Sequence, residues 1–482
     1  MSRLRQLGKD SLVYGIGAVV AKGLGVLLLP IYTRIFSPAD YGTIEMLTVI
    51  TSLLSSVMFM GMDAAQSMFF FKARDEGKAA QALVVSAILQ WRLCWGSAIV
   101  LVATLSAPFI SAQLFDGRLG WEFFAVAFGS ALVTQVLSQS IDVLRLLYRP
   151  WPYILISLAQ SVTAAASVLA AVLVFDQGIF GYFLGNLIAA SVAAAIGWIT
   201  VREYLDFSSV HLQAWPRLLR FGGPLMVADL SYYVMSTTDR WFIQHYHNEA
   251  VLGIYAIGAK FALLMSLVIE TFRKAWWPIA MDAMHSADGP ETYRRIARLF
   301  IGLAAAGVVG LTFLAPWLVK LIAPPDFYDA WTIVGVLAWQ SVFDGFSKIA
   351  GAGIWKAEKT QLFNYLAFAF AIVNVALNGL LVPCCGGIGA AMATSLTYLA
   401  WVVTCMVISE RLWKVNFPFA IIVFQIGLSC LLVFWLTVVK QGVYDWTDAL
   451  LTAASISLLC GVAFDRSTRS AICSRLRAQC RG

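Results

Sequence analysis

The chain has 482 residues, of which 60% are hydrophobic and only 13% charged, with a formal net charge of +7. This composition excludes an ordinary soluble enzyme, and no basic stretch is interleaved with aromatics in a soluble segment, which excludes a nucleic-acid module. It suits a chain that lies in a bilayer almost end to end, each crossing needing about 20 mostly apolar residues.

Fourteen apolar runs of that length follow in order, at residues 12–32, 41–70, 82–106, 121–147, 153–175, 180–200, 221–242, 251–280, 296–322, 331–354, 363–382, 388–409, 418–438 and 446–462. The expected fold class is all-α: a polytopic integral membrane protein of about 14 transmembrane helices. The first run follows a basic start, as in a signal peptide. Lys22 interrupts it and no small-x-small cleavage site follows, so it is read as a retained helix.

Lys and Arg fall in every second connection. One set holds residues such as Arg3, Lys72, Arg149, Arg217, Arg294, Lys356, Arg411 and Arg466, while Asp40, Asp116, Asp176 and Asp445 lie on the other side. The basic set marks the cytoplasmic face and places both termini inside. The eight cysteines show no CxxC or metal-ligand spacing, and no metal or cofactor is expected.

The longest interruption, 201–220, divides the first twelve helices into an N-terminal lobe at 1–200 and a C-terminal lobe at 221–410. Helices 13 and 14 at 411–464 stand outside this division, and a basic cytoplasmic tail follows at 465–482. Both halves begin inside and run outward, the pattern of parallel repeats. Arg34 precedes Tyr41-Gly42 in the first, and Asp239-Arg240 precedes Leu252-Gly253-Ile254-Tyr255 in the second.

The chemistry lies in charges within the spans, each of which costs roughly 2.5–3.5 kcal/mol at the bilayer centre and so faces protein or water. Three groups have partners at helical spacing: Asp142 with Arg145, Glu270 with Arg273 and Lys274, and Asp344 with Lys348. Lys22, Arg92 and Lys260 have none within their own helices and need another helix, water or an anionic substrate. A cavity lined by these cations and Lys348 would attract an anion, and Arg suits phosphate through its bidentate fork. Asp63 and Asp229 are either ion-coupling carboxylates or counter-charges for the cations.

Enzyme readings lack support. No Walker A, HExxH or GxSxG motif occurs, and the longest outer loop, around 108–120, is short for a glycosyltransferase or polymerase site.

Three stretches carry a family likeness. The first is Tyr14-Gly15-Ile16-Gly17 with Leu28-Leu29-Pro30-Ile31-Tyr32-Thr33-Arg34-Ile35-Phe36-Ser37-Pro38 and Tyr41-Gly42. The second is Thr238-Asp239-Arg240-Trp241-Phe242-Ile243 with Leu252-Gly253-Ile254-Tyr255. The third is Asn374 and Asn378 with Leu381-Val382-Pro383 and Gly387-Ile388-Gly389-Ala390-Ala391-Met392-Ala393-Thr394. Together they resemble the bacterial polysaccharide repeat-unit flippases of the multidrug/oligosaccharidyl-lipid/polysaccharide exporter superfamily. The resemblance implies two six-helix lobes around a central cavity and two extra C-terminal helices. It also implies flipping of an undecaprenyl-pyrophosphate-linked oligosaccharide across the bacterial cytoplasmic (inner) membrane, by alternating access driven by an H+ or Na+ gradient. The product would serve O-antigen, capsule or exopolysaccharide synthesis, with membrane lipids and the polysaccharide polymerase and chain-length proteins as partners. On this reading the substrate-binding residues are Lys22, Arg34, Arg92, Arg240, Lys260 and Lys348, and the ion-coupling residues Asp63, Asp229 and Asp239. A multidrug or toxin extruder of the same superfamily is the alternative, disfavoured by the excess of central cations. A membrane glycosyltransferase or polymerase would need an outer acidic site not found here.

Overall fold

The computed structural model describes residues 28–206 and 210–464, and nearly all of them are helical. Lys22 and the basic tail at 465–482 lie outside the described residues, as does most of the first predicted span. Each later span falls on helical residues, so the fold is an all-α polytopic membrane protein. Among the described residues, ten helical segments have the length and apolarity to cross a bilayer. The chain forms two compact units, Met1–Gly253 and Ile254–Gly482.

In the first unit, α1 (Pro38–Phe59) starts at a capping box. The Ser37 hydroxyl accepts from the Asp40 N–H at 3.2 Å, and the Asp40 carboxylate accepts from the Ser37 N–H at 3.0 Å. Its end is abrupt. Met60 and Gly61 both take left-handed conformations, and α2 (Met62–Lys72) resumes beyond them, so the predicted span 41–70 is a broken helix. Trp95 restores one carbonyl freed by the break, its indole N–H donating to Val57 O at 3.3 Å.

Next come α3 (Lys78–Leu105), the short α4 (Ala107–Leu114), α5 (Trp121–Leu146), α6 (Pro150–Leu169) and α7 (Gly178–Val201). Helix α7 packs on α5 and α6 through small residues, as membrane helices do in the absence of a hydrophobic driving force. A Cβ on Gly185 would lie 2.6 Å from Val168, and one on Gly197 2.9 Å from Ser140. Val85, Leu89, Leu137, Val143, Leu144 and Val201 form the buried core between α3, α5 and α7.

The connection expected over 201–220 is shorter than predicted. Pro216 occupies the first turn of α8 (Trp215–Tyr246), where its missing N–H costs nothing, so the helix begins before 221. Asp206 and His211 are tied to α3, with the Asp206 N–H on the Ser86 hydroxyl at 2.6 Å and the His211 N–H on Gln90 at 2.8 Å. Helix α8 packs against α1 and α2 and is long enough to span, but its polar residues keep it less apolar than those ten segments.

Helix α9 (Glu249–His285) leads into the second unit, which continues with α10 (Gly289–Ile322), α11 (Trp331–Ala350), the short α12 (Ala352–Lys356), α13 (Gln361–Leu412), α14 (Phe419–Phe434) and α15 (Trp446–Ala463). Helix α13 is two spans joined at Gly386, whose φ of 55° and ψ of −133° fold the chain back. Helix α10 is the hub, packing on α11, α14 and α15. The Arg298 guanidinium donates to Val462 O at 2.6 Å and anchors the C-terminal hairpin.

Candidate functional site

Two polar clusters interrupt the apolar helices of the first unit. The inner one forms where α1 breaks. Asp63 sits in the first turn of α2, where the helix N-terminus favours a negative charge. Arg92 of α3 reaches it across the break and forms an ion pair. The other guanidinium nitrogen donates to Gln135 O at 2.7 Å and to Gln135 Oε1 at 3.3 Å, while Gln135 Nε2 donates to Ser55 O at 3.1 Å. One arginine thus ties α2, α3 and α5 together. Its side chain is only 1% exposed, whereas Asp63 is 33% exposed. Asp142 pairs with Arg145 at 2.8 Å. The partner that Arg92 lacks in its own helix is therefore a carboxylate from another helix.

The outer cluster joins α8 to α1. The Arg240 guanidinium donates to Glu45 at 2.9 Å, to Asp239 at 2.9 Å and to Ser236 O at 3.1 Å. Asp239 is almost fully buried and Arg240 largely so. Arg240 is thus held by two carboxylates, one from α1 and one from its own helix. Below it, the Tyr233 hydroxyl donates to Val49 O at 2.5 Å.

Between the clusters runs a polar seam. Glu45, Thr48, Ser52 and Ser56 recur at three- and four-residue spacing, which puts them on one line of α1. Arg240, Thr237, Tyr233 and Asp229 do the same on α8. The Glu45–Arg240 and Val49–Tyr233 contacts set the two helices antiparallel, with Asp229 level with the Ser56 region. Asp229 is exposed at the middle of α8 and has no ion-pair partner among the described residues.

At the end that the charge pattern places outside, α1 and α9 cross at two glycines. A Cβ on Gly42 would lie 1.9 Å from Glu249 O, and one on Gly253 1.9 Å from Pro38 O. Arg118 pairs with Glu249 beside this crossing.

The remaining predicted residues lie on other segments. Arg34 is exposed and donates to Pro30 O at 2.6 Å. Lys260 lies on α9 in the second unit and is engaged by a partner. Lys348 lies half-exposed on α11 and has no ion pair with Asp344 among the described residues. The i,i+4 pairing expected there is absent, whereas Asp142–Arg145 and Glu270–Arg273 pair as expected. Sequence reasoning passed over the Ser and Thr line of α1, although its spacing was visible. It had no signal for Gln135, a neutral residue in a long apolar run.

Residues 7–284 match a family described as polysaccharide biosynthesis protein. An Lsg locus protein of Haemophilus influenzae is 27% identical over 291 residues, 57% of this chain and 66% of the relative. The chain thus spans just under two thirds of that relative's length. The succinoglycan biosynthesis transport protein ExoT of Rhizobium meliloti is 22% identical over 407 residues, covering 79% of this chain and 76% of its own. Among solved structures, lipid II flippase MurJ in an inward closed conformation superposes with a TM-score of 0.72 at 15% identity, covering 96% of this chain and 100% of that one. An inward-facing multidrug resistance MATE family transporter of the MOP superfamily gives a TM-score of 0.66 at 14% identity, covering 82% and 95%. At these identities the two structures speak for a shared fold.

Proposed function

The chain belongs to the polysaccharide biosynthesis protein family, and we propose from that premise that it flips a lipid-linked oligosaccharide across the bacterial cytoplasmic membrane. The substrate is an undecaprenyl-pyrophosphate-linked repeat unit, both termini lie in the cytoplasm, and the chain performs transport rather than bond chemistry. The observation that carries this reading is the polar seam of α1 and α8, with an exposed, unpaired Asp229 at mid-helix. A lipid-facing surface does not sustain such a residue, whose central charge costs roughly 2.5–3.5 kcal/mol unless it meets water or ligand. A hydrated lane of this kind lets a polar headgroup cross while its polyisoprenyl tail remains in the lipid.

Within this proposal the cations Lys22, Arg34, Lys260 and Lys348 serve the pyrophosphate. Arg92 and Arg240 act mainly by holding Asp63 and by joining α8 to α1. Asp229 is the foremost ion-coupling carboxylate, with Asp63 and Asp239 in support. An ion gradient drives transport only if the ion binds the two transport states with different affinity, and an accessible carboxylate supplies that difference. Asp229→Asn should therefore lower transport about tenfold or more and flatten its dependence on the imposed gradient. Leaflet assays at several gradients check this, and unaltered gradient dependence would remove Asp229 from the coupling role.

Deletion of the gene tests the function itself. Lipid-linked repeat units should accumulate on the cytoplasmic leaflet and return to the outer one on complementation. An unchanged leaflet distribution in the mutant would refute the flippase reading.

A further inference from the structure

The polar seam has a chemical character of its own: it accepts hydrogen bonds and hardly donates them. The Thr48 hydroxyl gives its proton to Ile44 O at 2.7 Å, Ser52 to Val49 O at 2.9 Å and Ser56 to Ser52 O at 3.0 Å. On the facing helix, Thr237 gives its proton to Tyr233 O at 2.7 Å, and Tyr233 gives its own to Val49 O at 2.5 Å. A hydroxyl that has donated its one proton keeps acceptor capacity on the same oxygen. Arg240 has turned its guanidinium toward Glu45, Asp239 and Ser236 O, and Asp229 is an acceptor alone. The line from Glu45 to Ser56 is about 16 Å long at 1.5 Å per residue, about half of the ~30 Å hydrocarbon core.

Among the described residues this surface offers a ligand carboxylates and lone pairs and no cation beyond the engaged Arg240, so it does not favour a pyrophosphate. It suits a neutral polyol, whose many hydroxyl protons need acceptors and whose C–H face can lie on the Tyr233 ring. We propose that the facing lines Thr48, Ser52 and Ser56 of α1 and Tyr233 and Asp229 of α8 form a glycan-reading lane, which selects the sugar part of the substrate while the pyrophosphate is held elsewhere. This rests on the flippase reading and adds that substrate selectivity resides in the first unit. Thr48, Ser52 and Ser56 are specificity-determining residues.

The test uses the full chain reconstituted in proteoliposomes with two substrates, an undecaprenyl pyrophosphate carrying the complete repeat unit and one carrying a single sugar. Wild type should prefer the complete unit. In Thr48→Val/Ser52→Ala/Ser56→Ala, the ratio of kcat/KM values for the two lipids should drop about tenfold, from the loss of a few hydrogen bonds of about 1 kcal/mol each. Thr48→Ser, which keeps the hydroxyl, should retain the wild-type ratio. If the triple variant is unstable, Thr48→Val alone should shift the ratio in the same direction. An unchanged ratio in both variants, whether the rates hold or fall together, overturns the lane and leaves the flippase reading standing. A wild type that flips neither lipid overturns both.

Discussion

Replacing Gly253 by valine should reduce transport at least about tenfold at equal protein level, and Gly42→Val should do the same. At the crossing of α1 and α9 the two backbones touch without side chains between them. A Cβ on Gly253 would stand 1.9 Å from Pro38 O and 3.0 Å from Gly42 N, and one on Gly42 1.9 Å from Glu249 O. The obstructing atoms are backbone carbonyls inside helix ends, so no rotamer change relieves the overlap. Overpacking of even adaptable cores costs about 1–3 kcal/mol, and each 1.4 kcal/mol is a factor of ten in an equilibrium. Rigid backbone on both sides puts the cost in the upper part of that range, so a state that needs this crossing closed is depleted about tenfold or more. The adjacent Arg118–Glu249 pair gives the contrast. Arg118 is mostly exposed and such pairs contribute about 0–1 kcal/mol, so Glu249→Gln, which removes the charge and keeps the shape, should change transport by less than a few-fold. Flipping rates of the three variants beside wild type decide the matter. Valine variants as active as Glu249→Gln would show that the crossing is dispensable.

The second large effect concerns Arg92, where stability is at stake more than transport. Its guanidinium is buried at the α1–α2 break and bonds Asp63 and Gln135 together. Arg92→Met removes those donors and leaves the Asp63 carboxyl partly buried without its cation. Breaking one side of a buried pair costs about 3–5 kcal/mol, whereas replacing both sides by neutral groups of similar shape is close to neutral. Arg92→Met should thus unfold at markedly lower temperature in detergent, and Arg92→Met/Asp63→Asn should recover most of the loss. Thermal unfolding of the two variants tests this. Recovery of transport as well as stability in the double variant would assign Arg92 a structural role alone. A stable double variant without transport would return Arg92, Asp63 or both to the substrate or ion path.

These expectations separate what the chain shows as a string from what only contact reveals. Span positions were legible because a bilayer demands long apolar runs, and turns such as Ser37-Pro38 interrupt them visibly. The intrahelical pairs Asp142–Arg145 and Glu270–Arg273 were legible for the same local reason, since three-residue spacing puts both groups on one face. The partners of Arg92 and Arg240 were not, because Asp63 and Glu45 come from other helices, Glu45 at a separation of 195 residues. The break in α1 was also hidden. One glycine in an apolar run is common, and only the close approach of Gly61 to Gly222, 2.2 Å from a Cβ to the Gly222 carbonyl oxygen, explains why it must be glycine. The carboxylates that hold Arg240 likewise follow from three-dimensional neighbours, since Glu45 lies on another helix.

Reconstitution offers the most direct test of the central claim. Purified full-length protein in sealed liposomes, loaded on one leaflet with an undecaprenyl-pyrophosphate-linked repeat unit, is followed by probing the other leaflet with an impermeant glycan-modifying reagent. The account predicts transfer well above protein-free liposomes, faster under an imposed ion gradient and slowed about tenfold or more by Asp229→Asn. Transfer no faster than in protein-free liposomes, with or without a gradient, would contradict it.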